Sequence, residues 1–145
     1  MKTKLIIAGL VVVLAMSLVA CATSEPGTVS WEVPIDDFMS EPQQSYQIEV
    51  PVGDVLTLTL GSNPTTGFAW SEEAQIDDTG ILKQTGHEFV GPDGDPPPPP
   101  GTPGQEIWTF EALAKGQTNV YLEYSRPWEG GEKAEWTYTL TVTVK

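Results

Sequence analysis

The sequence predicts an all-β chain folded as an antiparallel β-sandwich, and three observations carry that expectation. Residues 54–60 (DVLTLTL) set Leu56, Leu58 and Leu60 against Val55, Thr57 and Thr59, and residues 136–144 set Trp136, Tyr138, Leu140, Val142 and Val144 against threonines, the period of strands with one face buried. Further short segments of strand character recur at roughly 8 to 15 residue spacing with turn residues between them. No stretch sustains a 3.6-residue apolar period. At 145 residues and 15.7 kDa the chain has material for one such domain.

Taken in chain order, the first element is a leader. Lys2 and Lys4 precede an apolar run over 5–20 broken only by Gly9 and Ser17. Sixteen residues fall short of the about 20 that a spanning helix needs, but the charged-then-apolar plan suits a secretory signal. The run ends in Leu18-Val19-Ala20-Cys21, which resembles the bacterial lipobox. That resemblance implies removal of 1–20 and lipidation of Cys21, with several acyl chains giving a stable membrane anchor. Ala22 is not the Asp associated with retention at the inner membrane. The expected location is therefore the cell envelope, at the outer membrane in a Gram-negative host, facing periplasm or exterior. Residues 21–42, rich in Ser, Thr, Glu and Asp and punctuated by Pro26, Pro34 and Pro42, read as a lipidated N-terminus and tether, with 28–33 as an optional edge strand. The folded domain is expected over 43–145.

Within it the expected strands are 46–50, 54–60, 68–71, 81–90, 105–113, 119–125 and 136–144. Trp70, Trp108 and Trp136 fall inside strands and read as core. If consecutive strands alternate in direction, the connectors 61–67 (GSNPTTG), 91–104 (GPDGDPPPPPGTPG) and 126–133 (RPWEGGEK) all reach the same end. A rigid scaffold presenting three unusual loops side by side is a binding edge.

Composition excludes several functions. Seven Lys and Arg face 20 Asp and Glu for a net charge of −13, and loss of Lys2 and Lys4 leaves five cations against 20 acids, or −15. A phosphate-binding footprint for nucleic acid is missing, as is a polybasic patch for anionic lipid. A single cysteine excludes an internal disulfide and a Cys-based zinc site. His87 is the only histidine, no GxSxG is present, and Asp77-Asp78 and Glu72-Glu73 are adjacent pairs that a strand would point to opposite faces. No enzyme, cofactor or metal site is expected, and the domain is expected to be a monomer.

Asn63-Pro64-Thr65-Thr66-Gly67-Phe68-Ala69-Trp70, the segment Gly104-Gln105-Glu106-Ile107-Trp108-Thr109-Phe110, and Tyr124-Ser125-Arg126-Pro127-Trp128-Glu129 together resemble the chagasin family of cysteine protease inhibitors, over about residues 46–145. The resemblance implies an immunoglobulin-like sandwich that reversibly inhibits papain-family peptidases by inserting three loops into the active-site cleft. It implies that Thr65 lies against the catalytic Cys and His, that Trp128 packs on an aromatic platform with Arg126 adding polar contacts, and that Gly101 and Gly104 flank the other side. The implied contact set is Asn63, Pro64, Thr65, Thr66, Gly67, Phe68, Gly101, Gly104, Arg126, Pro127 and Trp128.

The residues themselves agree. Pro64 fixes its own φ and holds Asn63 extended, and Gly67 permits the positive φ of the return, so the loop is stiff before it binds. Alternatives stand beside the carry-over: Asn63 serving its own loop through an Asx-type bond, Trp128 packing inward, and Arg126 pairing with Glu129 at the surface. The sequence departs from the family at 93–100, where Asp93-Gly94-Asp95 and five prolines enlarge the second loop. Such a run favours a polyproline II rod, which could add contacts, hold the loop off the cleft, or be a tolerated insertion. The competing function is a non-inhibitory immunoglobulin-like lipoprotein that binds another protein or a glycan through the same edge.

Overall fold

A computed structural model describes residues 24–145; the expected leader and Cys21 lie outside the described residues. Two sheets face each other. The first orders β1 (Thr28–Val33), β3 (Val55–Ser62), β7 (Gly104–Ala112) and β6 (Leu82–Val90) as β1-β3-β7-β6. The second orders β2 (Gln43–Val50), β9 (Trp136–Val144), β8 (Gly116–Ser125) and β4 (Ala69–Trp70) as β2-β9-β8-β4, with β5 (Gln75–Ile76) also on β8. Leu56, Leu58 and Leu60 meet Trp108, Phe110, Leu122, Tyr138, Leu140 and Val142 in one fully buried core. The two period-two stretches thus put the expected face inward. Trp70 and Trp108 are core residues, and Trp136 is half-buried against the core.

Successive strands alternate in direction except β4 and β5, which both run antiparallel to β8, and neighbours in a sheet are not always antiparallel. β1 pairs in parallel with β3, and β2 in parallel with β9, so both sheets are mixed. The cause is a crossover: β1 climbs in the first sheet, and the chain passes to the second sheet before descending as β2.

That crossover corrects the expected tether. Residues 28–33 are a full strand, and Ile35–Ser40 form a short helix, α1, that spans the gap between the sheets. Its Phe38 is completely buried, with ring centroids 5.0 Å from Trp70 and 5.5 Å from Trp136. Gly61 is what lets α1 settle on β3, because a Cβ there would overlap the Ile35 backbone. The strand expected over 68–71 shrinks to Ala69–Trp70. Beyond it the backbone is satisfied by side chains instead of a ladder: the Trp108 indole donates to the carbonyls of Ser71 and Glu72 (3.1 Å each), and Gln84 bonds the Ala74 N–H and the Glu72 carbonyl.

Candidate functional site

The three unusual connectors meet at one end of the sandwich, and their contacts show how the sequence builds a rigid edge. In the first loop, Pro64–Thr66 form one 3-10 turn closed by Gly67 at φ +82°. The turn hangs from Asn63. Its N–H donates to the Tyr124 hydroxyl (2.9 Å), its Oδ1 accepts from Thr65 Oγ1 (2.6 Å), and its Nδ2 donates to the carbonyl of Gly101 in the second loop (3.0 Å). Asn63 therefore serves the loops themselves, with both ends of its amide engaged. Pro64, Thr65 and Thr66 remain exposed at the tip.

The third loop is fastened to the first. Arg126 donates through Nε and Nη2 to the Thr66 carbonyl (3.3 and 3.2 Å) and lies 4.5 Å above the centre of the Phe68 ring. Its carboxylate partner is Glu132 at 3.6 Å, not Glu129. Lys133 Nζ donates to the carbonyls of Arg126 and Trp128, which closes the loop on itself. Pro127 is exposed and Trp128 is 53% exposed, so Trp128 does not pack into the core. The edge of its ring abuts Gly67, where an added Cβ would lie 2.6 Å from Cη2.

Phe68, a member of the expected contact set, lies lower than the loop tips. At 8% exposed it stacks on Tyr124 beneath Arg126, and supports the edge from below. In the second loop the proline run ends in a turn, with Thr102 N–H and Oγ1 both donating to the Pro99 carbonyl (3.2 and 2.6 Å). Pro97, Pro98, Pro99 and Pro100 share a cavity of about 410 Å³ with Pro64, Thr65 and Phe89, so the insertion stands beside the tip of the first loop. Gly101 is exposed, and Gly104 opens β7 opposite Ser62.

Sequence reasoning missed the anchor below this edge. Glu106 is 4% exposed, and accepts from Ser62 Oγ (2.6 Å) and the Trp70 N–H (3.1 Å), with His87 Nε2 3.1 Å away. A buried carboxylate is tolerated only when so fully bonded, and these bonds tie β3, β4, β6 and β7 together directly under Asn63. The clue was available: Glu106 shares a strand face with the core residues Trp108 and Phe110. His87 is thereby a structural residue. Nothing in the edge pairs a nucleophile with a base; it offers shape, with Thr65 and Trp128 exposed.

Comparison with known proteins agrees with this geometry. A profile described as Chagasin family peptidase inhibitor I42 matches residues 49–142. Chagasin of Trypanosoma cruzi is 35% identical over 88 residues, 57% of this chain and 74% of that protein, and Amoebiasin-2 of Entamoeba histolytica is 27% identical over 107 residues, 74% and 84% of the two. The crystal structure of the cysteine protease inhibitor EhICP2 from Entamoeba histolytica superposes with a TM-score of 0.59 at 21% identity, covering 83% of this chain and 99% of that one. The structure of PbICP-C in complex with falcipain-2 does so with a TM-score of 0.55 at 14% identity, covering 82% and 99%. At such identities the solved structures speak for the sandwich alone, whereas the profile spans most of the domain: the chain belongs to the chagasin family of peptidase inhibitors and is not an enzyme.

Proposed function

We propose that this protein reversibly inhibits papain-family cysteine peptidases by seating its three-loop edge in the active-site cleft. The single observation that supports this most is the cross-bracing of the loops before any partner arrives: Asn63 to Gly101, Arg126 to Thr66, and Gly67 against Trp128. An edge already ordered loses little entropy on docking. Thr65, small and exposed, suits the narrow centre of a cleft near the catalytic Cys and His. Trp128 suits an aromatic platform to one side, and Gly101 and Gly104 the flank on the other. A bent 3-10 turn does not lie as an extended substrate does, so no peptide bond is offered for cleavage. PbICP-C, which shares the sandwich, is by its description bound to falcipain-2.

Lipidation of Cys21 after removal of 1–20 complements this reading. Six residues, 22–27, separate Cys21 from β1, and β1 begins at the end of the sandwich opposite the loops. An anchor there would leave the loops pointing away from the membrane.

The test is titration of papain with the purified full chain. Peptide hydrolysis is expected to fall in proportion to added inhibitor and to recover on dilution; undiminished hydrolysis at micromolar protein would end the inhibitor reading and favour the non-inhibitory binding module. Thr65→Arg places a long cation at the exposed tip, and is expected to weaken inhibition by about 2 kcal/mol or more. Unchanged inhibition by that variant would mean that the first loop stays outside the cleft.

A further inference from the structure

The family match begins at residue 49, but the fold begins earlier, and α1 lies at the loop end. The strand directions require it, because β1 arrives at that end beside β3 and β2 leaves it beside β9. Burial of Phe38 turns the rest of this short helix outward. Met39 is 70% exposed, the highest value among the large apolar side chains of the described residues. The flexibility of an exposed thioether side chain fits a partner of variable shape.

Met39 does not stand alone. With Ile35 it walls a cavity of about 390 Å³ whose other sides are Thr66 of the first loop and Arg126 of the third, over a floor of Phe68 and Trp136. Thr66 is next to Thr65, and Arg126 is two residues from Trp128, so the cavity is walled by the same two loops that carry Thr65 and Trp128. We infer that α1 is a fourth contact segment, in which Met39 and the cavity beside it receive an apolar side chain from the rim of the peptidase cleft. The inference rests on the inhibitor reading of the loops. The surrounding acids, Asp36 and Asp37 on α1 and Glu135 at the cavity, disfavour a rim carboxylate at that position. Peptidases with an apolar residue there are expected to be bound more tightly than those with an acid.

The inhibition constant for papain and the melting temperature of the full chain, Met39→Ala and Met39→Leu test the proposal. Met39→Ala is expected to inhibit about five- to tenfold less tightly and Met39→Leu about as well as the parent, with melting unmoved since the side chain is exposed. Inhibition by Met39→Ala within about twofold of the parent would overturn the fourth contact while leaving the three-loop reading intact. A weakened Met39→Ala that also melts earlier would overturn it too, as Met39 would then be structural. If the parent sediments as a dimer, Met39→Ala as a monomer and both inhibit equally, the cavity serves a second copy and the proposal fails. A parent chain that does not inhibit at all removes both this inference and the reading beneath it.

Discussion

Trp128 meets the protein along one edge of its ring and solvent with the remainder. The Gly67 contact and the Lys133 bond to its carbonyl fix where the indole stands, while more than half of the residue stays free. That combination, rigid and unpartnered, characterises binding hot spots. Trp128→Ala is therefore expected to weaken papain inhibition by about 2 kcal/mol or more while lowering stability by less than about 0.5 kcal/mol; a matched loss of stability and inhibition would place Trp128 among the structural residues. At this scale the motifs were legible, because Pro64, Gly67 and Trp128 declare stiffness, a turn and an anchor by residue type alone. Their partners were not. The Gly101 carbonyl that receives Asn63 lies 38 residues away, and the Thr66 carbonyl that receives Arg126 lies 60 away; no local pattern encodes such pairings. Phe68 shows the same limit: its place in the motif suggests contact, and its stacking on Tyr124, 56 residues away, leaves no local pattern.

Strands declared themselves where one face is buried and the other is wet. The stretch 54–60 extends in the structure to Ser62, and 136–144 matches β9 residue for residue. β4 and β5, two residues each, pair with β8 over too short a length to leave a periodic trace. The helix is the instructive omission. Six residues make less than two turns, and the segment carries two aspartates and follows Pro34, so propensity and period both argue for a tether. What forms α1 is tertiary packing: Phe38 enters an aromatic cluster with Trp70, Trp136 and Tyr138. Phe38→Ala should cost about 3 to 5 kcal/mol of stability by denaturant unfolding. A change below about 1 kcal/mol would return residues 35–40 to the tether they resembled. Inhibition measured well below the melting temperature should fall less for Phe38→Ala than for Trp128→Ala if the loops keep their own bracing.

For the whole molecule, the start of β1 and the loop edge lie at opposite ends of the sandwich. β3, which runs beside β1 from Val55 to the loop edge at Ser62, has eight residues, about 26 Å of strand. Away from α1 and Glu135 the acidic surface surrounds an edge that relies on Pro, Thr, Gly and Trp, with Arg126, the chain's one arginine, turned inward to Thr66. If Cys21 carries lipid, the six residues 22–27 reach at most about 20 Å. The domain would then stand on the membrane by its plain end, loops outermost and far enough from the lipid surface for a peptidase to dock. Expressed in a bacterium that processes lipoproteins, the chain should fractionate with membranes, its N-terminus should be Cys21, and its mass should exceed that of 21–145 by the acyl groups. Cys21→Ser should move it to the soluble or uncleaved fraction while leaving papain inhibition unchanged, because the anchor and the edge lie at opposite ends. Cleavage elsewhere, or membrane association that persists in a Cys21→Ser chain from which residues 1–20 have been removed, would refute the anchor; intact membranes bearing the parent chain that fail to capture papain would refute the outward orientation.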